Sequence, residues 1–147
     1  MIGSRQIATG LGVGLSIAAI ASPASAAICD VNPQGVSFGN YDPLSATALD
    51  GVGNINVTCN EVVPFSVSFD QGQGSYAERR MTAGTDWLGY NLYINASRAM
   101  VWGDGVTGST VDATGDNVDL PVYGRIPAQQ NIPAGVYLDS ITVTVTY

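Results

Sequence analysis

Two cysteines, Cys29 and Cys59, are the side chains best suited to covalent chemistry in this sequence. A cysteine pair can form a disulfide, bind a metal ion or supply a thiolate nucleophile. The last two roles usually involve a histidine, as a further ligand or as the base that activates the thiol, and the chain has none. We therefore predict a structural disulfide between the two cysteines. It closes a loop of about 30 residues and contributes roughly 3–4 kcal/mol on the chain-entropy model.

The remaining side chains offer little for catalysis. The chain has neither histidine nor lysine, so the usual general base beside a nucleophilic serine is missing. A pair of its 12 acidic residues could hydrolyse a glycoside, but no spacing singles out two of them. The sequence therefore predicts that the protein is not an enzyme and has no cofactor, no metal site and no small-molecule substrate.

The first 26 residues have the three parts of a secretory signal peptide. Arg5 is their only charged residue, and an apolar stretch follows at residues 7–20. Ala24 and Ala26 then form the small-x-small pattern of a signal-peptidase cleavage site. The apolar stretch is shorter than the roughly 20 residues that a membrane-spanning helix needs. We predict a signal peptide at residues 1–26 and one secreted domain at residues 27–147, in an oxidising environment where the disulfide forms.

The net charge of this domain indicates which classes of partner it is unsuited to bind. After residue 26 there are 12 acidic residues against four arginines, a net charge of −8. Such a surface repels phosphate backbones and has no basic patch for anionic lipid. Nucleic acid is therefore not expected as a partner.

Alternation of apolar and polar residues predicts short strands along the domain, and no window has a sustained helical period. The alternating segments are residues 54–59, 65–69, 88–94 and 120–126. Pro121 cannot donate a ladder hydrogen bond, which favours an edge or the first residues of a strand. Residues 103–119 are polar and rich in Gly and Asp, and we expect a long loop there. These features predict an all-β sandwich.

The last segment has the clearest strand pattern. Its apolar residues alternate with three threonines and should share one inward face; they are Ile141, Val143, Val145 and Tyr147. The strand reaches the last residue, so little sequence remains to cover its edge, and an exposed edge invites strand addition by another chain. We expect these four residues to line a groove that accepts a strand from a partner.

Several segments, taken in order, resemble the spore coat protein U domain family. They are Cys29, VSFGNYDP at 36–43, INVTC at 55–59, RM at 80–81, YNLY at 90–93, VWGDG at 101–105, VYGRIP at 122–127, PAGVYLD at 133–139 and TVTVTY at 142–147. Each segment alone is weak evidence for the family, and the resemblance rests on the order and spacing of the segments over residues 29–147.

This resemblance implies the fold and assembly of archaic chaperone–usher pilus subunits. The fold would be an incomplete immunoglobulin-like (pilin-type) β-sandwich lacking its last strand. A periplasmic pilus chaperone would lend a strand, and an outer-membrane usher would exchange it for the N-terminal extension of a neighbouring pilus subunit. The protein would be a secreted structural or adhesive subunit in surface attachment or biofilm formation, passing through the periplasm to the cell surface or the extracellular space.

One feature departs from this pattern. A polymerising subunit needs a donor segment of about ten alternating residues before its first cysteine. Cleavage after Ala26 would leave only Ala27 and Ile28 there. We therefore expect a chain that accepts a strand without donating one, as at a fibre tip, in a minor subunit or in a secreted protein that does not polymerise.

Two other functions fit the same sequence. A self-contained carbohydrate- or surface-binding module would use Trp87, Trp102 and the tyrosines, and it would be stable as a monomer. A spore-coat or envelope structural protein would follow the family's name, and it would be found in the coat fraction without depending on a chaperone.

Overall fold

The computed structural model describes residues 25–147, which contain β-strands, turns and loops. The strands are β1 (Cys29–Gln34), β2 (Leu49–Phe69), β3 (Arg79–Ala83), β4 (Asp86–Tyr93), β5 (Val111–Ile126) and β6 (Val143–Thr146). No helix in this part of the chain has the length and hydropathy needed to cross a membrane. The predicted signal peptide lies outside the described residues apart from Ser25 and Ala26, so it stays a prediction.

The strands form one curled, open sheet in the order β1-β2-β5-β4-β3, with β6 paired to β2. The curl follows from β2, whose pairing with β5 shifts register between Thr58 and Val63. The segments 54–59 and 65–69, predicted as separate strands, are the two ends of β2. They pair with β1 and β6 respectively.

The interior is apolar because alternation gives the strands an inward apolar face. Its buried apolar side chains are Ile55, Val57, Phe65, Val67, Phe69, Leu88, Tyr90, Leu92, Trp102, Leu120, Val122 and Ile126. Trp102 stacks on Phe69 with 4.2 Å between ring centroids, and its indole N–H donates to the Val67 carbonyl at 3.0 Å. The predicted disulfide is confirmed: Cys29 and Cys59 are bonded and lie opposite each other in β1 and β2.

The first half of β5 differs from the sequence-based expectation. Residues 111–119 were expected to lie in a loop, but they pair with β2 along most of that length. Outward polar side chains bond across the strands, with the amides of Asn54 and Asn56 donating to Asp119 Oδ1 at 2.8 and 3.0 Å. These amides hold the pKa of the Asp119 carboxyl below its usual value. Strand pairing therefore overrides the turn preference of this polar sequence.

Pro121 also has a position that alternation alone does not reveal. It lies inside β5, so it does not begin a strand. The pairing of β4 with β5 covers only Tyr123 to Arg125, while Pro121 is paired with Asn54 of β2. At Pro121, β5 therefore has a neighbouring strand on one side only. This agrees with the edge interpretation, because proline has no N–H to donate to a strand on the other side.

A charged residue, Arg79 of β3, is enclosed in the core with none of its surface exposed. Its guanidinium donates to the carbonyls of Asp70 and Trp102, each at 2.7 Å, and to Asn91 Oδ1 at 2.7 Å. Burial lowers the pKa of the Arg79 guanidinium. Among the described residues no carboxylate forms a salt bridge with it. Arg79 thus joins the segment after β2, strand β4 and Trp102 through charge-assisted hydrogen bonds.

Candidate strand-acceptor groove

A groove of about 870 Å³ runs along the open side of the curled sheet. We name its two sides the first wall, residues 33–41, and the second wall, residues 132–143. Apolar side chains from β2, β4 and β5 form the floor: Ile55, Leu88, Leu92, Val122 and Ile126. These floor side chains are nearly fully buried, so the groove is an open cleft whose base is the hydrophobic core.

The structure places the four predicted acceptor residues differently. Ile141 and Val143 lie on the second wall and line the groove. Val145 packs against the core and pairs with Val67 of β2, outside the residues that line the groove. Tyr147 is 55% exposed and also lies outside the lining. The role of the four in accepting a strand stays a prediction.

Sequence reasoning did not select the first wall as part of the site. Its Val36 and Phe38 pack against the core and line the groove, and Phe38 meets the Tyr90 ring edge-on with 6.1 Å between centroids. The alternation of Val36 and Phe38 within the VSFGNYDP segment was the available signal. On the second wall, Ile132 and Tyr137 were missed as well.

Glycines allow the first wall to cross the sheet this closely. A Cβ atom built on Gly51 or Gly53 would lie 2.9 Å from a side-chain carbon of Phe38 or Val36, respectively. At Gly124 the added Cβ would lie 2.5 Å from Phe38 Cζ. Gly51 and Gly124 face each other in the β2–β5 register, so they form one side-chain-free patch under Phe38.

Gly124→Ala is expected to lower the free energy of unfolding by about 1–3 kcal/mol, because the new methyl group displaces Phe38. Gly35→Ala is the matched control, since a Cβ there meets no atom within 4 Å. Thermal unfolding of both variants in the same bound state provides the measurement. Equal melting temperatures would contradict the packing of Phe38 on Gly124.

Both walls have unpaired backbone. On the second wall, Leu138 exchanges two hydrogen bonds with Thr82 of β3, at 2.8 and 3.1 Å. Successive residues of an extended chain direct their N–H and C=O groups to opposite edges, so those of Tyr137 and Asp139 point away from β3. Among the described residues, no hydrogen-bond partner is found for the backbone of residues 36–41 or for the N–H groups of residues 137, 139 and 141.

A hydrogen-bonded clasp fixes the distance between the two walls. The Tyr41 hydroxyl donates to the Pro127 carbonyl and accepts the backbone N–H of Gln130, both at 2.8 Å. The Gln130 side-chain amide accepts the Gly89 N–H and donates to the Gly89 carbonyl, also at 2.8 Å. The end of the first wall is thus tied to β4 and to the segment that leads into the second wall.

Polar chemistry inside the groove centres on Asp139. Its Oδ2 accepts the Tyr90 hydroxyl at 2.7 Å, and its Oδ1 accepts the backbone N–H of Ser140 at 2.8 Å and of Gln73 at 3.3 Å. Burial and the neighbouring carboxylate raise the pKa of the Tyr90 phenol, so the hydroxyl remains a donor at neutral pH. The carboxylate is therefore held in place beside an apolar floor.

Comparison with known proteins gives a family match over most of the chain. The model of the Spore Coat Protein U domain matches residues 16–144. Protein U of Myxococcus xanthus is 36% identical over 127 residues, which cover 76% of this chain and 71% of that protein.

A solved structure has the same fold. It is a chain from the crystal structure of the CsuC–CsuE chaperone–tip adhesion subunit pre-assembly complex of the archaic chaperone–usher Csu pili of Acinetobacter baumannii. The TM-score is 0.58 at 24% identity, and the alignment covers 83% of this chain and 40% of that chain, less than half of its length. The predicted fold class, an incomplete immunoglobulin-like sandwich of the pilin type, is confirmed.

Proposed function

We propose that this chain, which belongs to the Spore Coat Protein U domain family, is a pilin-like structural subunit whose groove accepts an extended segment of another chain. The proposal rests on the unpaired backbone of residues 36–41 and the unpaired N–H groups of residues 137, 139 and 141, which lie beside an apolar floor. One added strand would supply hydrogen bonds to these walls and apolar side chains to the floor. The proposed role is structural and not catalytic.

The size of the groove favours completion by a partner. After the bend at residues 134–135, residues 136–143 of the second wall could run beside a partner segment of about eight extended residues, at roughly 3.3 Å per residue. Each apolar side chain buried against the floor contributes roughly 1.5–3 kcal/mol. Four such side chains would contribute about 6–12 kcal/mol, which is comparable to the roughly 5–15 kcal/mol of net stability of a typical domain. We therefore expect the chain to be marginally stable with the groove empty and stable with it filled.

The proposed partners are a periplasmic pilus chaperone first, and then an outer-membrane usher and neighbouring pilus subunits. The solved complex that contains the same fold joins a chaperone to a tip adhesion subunit, which supports this order. The proposed route begins with removal of the signal peptide at residues 1–26 and passes through the periplasm to the cell surface or the extracellular space. There the subunit would contribute to surface attachment or biofilm formation.

Expression in a bacterial periplasm, with and without a candidate pilus chaperone, tests this function. We expect aggregation or proteolysis of the chain alone and a stable one-to-one complex with the chaperone, measured by size-exclusion chromatography and thermal melting. A monomer that melts cooperatively without any partner would overturn the proposal and favour the self-contained carbohydrate- or surface-binding module.

A spore-coat or envelope role is the second candidate, favoured by the family to which the chain belongs. Fractionation of the native cells distinguishes it from the first. Protein in the coat or envelope fraction, in the same amount with and without the chaperone, would support this role over assembly into a pilus.

A further inference from the structure

We infer that Asp139 selects the segment that fills the groove: the residue beside Asp139 on the incoming strand is a hydrogen-bond donor or a cation, and not an acidic or purely apolar residue. This inference rests on the proposed function, because it presupposes that a strand occupies the groove. It adds a chemical requirement at one position to the general requirement for alternating apolar residues.

The composition of the groove singles out Asp139. The residues that line the groove in the described part of the chain are apolar or uncharged, with Asp139 as the one charged exception. Asp139 lies two residues from both Tyr137 and Ile141, so in an extended chain its side chain points to the same side as theirs. The side chains of Tyr137 and Ile141 pack against the core. Its carboxylate is partly buried and bonded to the hydroxyl of Tyr90, a core residue.

Strand geometry places one incoming side chain next to this carboxylate. The second wall pairs with β3 through Leu138, so its other edge is the one open to a new strand. The residue directly opposite Asp139 on that strand would have its Cβ about 4.5–5.5 Å from the Asp139 Cβ, on the same face of the sheet. No other residue of the incoming strand would be as close.

Because the bound strand buries the Asp139 carboxylate, the side chain opposite Asp139 should strongly affect how tightly the strand binds. An ionised carboxylate has about four lone-pair sites, and Tyr90, Ser140 and Gln73 fill three of them. A strand in the groove excludes water from the fourth, and this loss is costly for a carboxylate although the buried Arg79 guanidinium attracts it through space. Ser, Thr, Asn, Lys or Arg on the strand would supply the missing donor, while Asp or Glu would add repulsion.

A peptide panel tests the inference. Twelve-residue peptides of alternating Val and Thr are varied at one inward position at a time to Thr, Lys, Leu or Glu. The secreted chain, with its disulfide intact, is refolded with a labelled reference peptide, and each member of the panel is used to displace it. We expect one inward position at which Thr and Lys bind at least about tenfold more tightly than Glu and more tightly than Leu.

Two variants separate selection from general effects. Asp139→Asn should reduce the Thr-to-Glu ratio at that position about tenfold, because it removes the charge and keeps a similar shape. Asp86→Asn, at an exposed residue of β4 outside the groove, also removes one negative charge and should leave the ratio unchanged.

The outcomes distinguish this inference from the proposed function. If no peptide binds the unmodified chain, strand acceptance itself is wrong. If peptides bind but Glu is tolerated as well as Thr at every inward position, the groove accepts a strand and the selective role of Asp139 is wrong. Should Asp139→Asn fail to refold, the panel on the unmodified chain still decides between these outcomes.

Discussion

Val143→Asp is expected to abolish complex formation with a strand-donating chaperone. Val143 lines the groove, packs against the core and pairs with Phe69 of β2. A carboxylate there would face the apolar groove and lose its water when a strand binds, at a cost of several kcal/mol. The measurement is the yield of the one-to-one complex after coexpression, quantified by size-exclusion chromatography.

Thr144→Asp is the matched control for this variant. Thr144 is the next residue of β6, and its exposed side chain points away from the core. The same charge at this position should leave the complex yield unchanged. A normal yield from Val143→Asp would contradict the placement of Val143 beside the bound strand.

A conservative variant guards against simple misfolding. Val143→Ala removes apolar volume from the groove without adding charge, so it should lower the yield less than the aspartate does. A graded loss in the order Val, Ala, Asp indicates that contact with the strand is affected. Equal and complete loss for both variants, with the Thr144→Asp protein normal, would indicate that Val143 is needed for folding and would leave the groove contact without support.

Arg79→Met is expected to lower the free energy of unfolding by roughly 3–5 kcal/mol, because it leaves buried acceptors without donors. The affected acceptors are the carbonyls of Asp70 and Trp102 and the side-chain oxygen of Asn91. Methionine fills much of the same volume, so the loss reports mainly on hydrogen bonding. The fall in melting temperature should be on the order of 10–20 °C for a domain of this size.

The neighbouring arginine provides the control. Arg80 lies over the Trp87 ring at 3.9 Å and pairs with Glu78 at 3.4 Å, and its side chain is 43% exposed. Exposed contacts of this kind contribute little, so Arg80→Met should cost less than about 1 kcal/mol. Both variants are compared by thermal unfolding in the strand-bound state. Losses of similar size would show that the buried hydrogen bonds of Arg79 are not what holds this part of the core.

The sequence determined the fold class and the disulfide. Alternation is a local property with a period of two residues, and it appears wherever one face of a strand is buried. It therefore identified the strand segments and placed Ile141 and Val143 on an inward face. The chemistry of the cysteines was readable for a similar reason: with no histidine in the chain, the structural disulfide was the simplest role left for the pair.

Which segments pair with one another could not be predicted from the sequence and follows from the folded structure. Residues 111–119 have only a short, interrupted apolar alternation. They extend β5 because β2 pairs with them and Asn54 and Asn56 bond to the side chain of Asp119. The two walls of the groove are about a hundred residues apart in sequence. The local pattern of neither wall predicts that the other lies across the groove. Their placement relative to each other depends on the glycine patch under Phe38 and on the Tyr41 clasp. Hydrogen bonding and close packing between distant segments are satisfied only in the folded chain, which is why this half of the site could not be predicted from alternation.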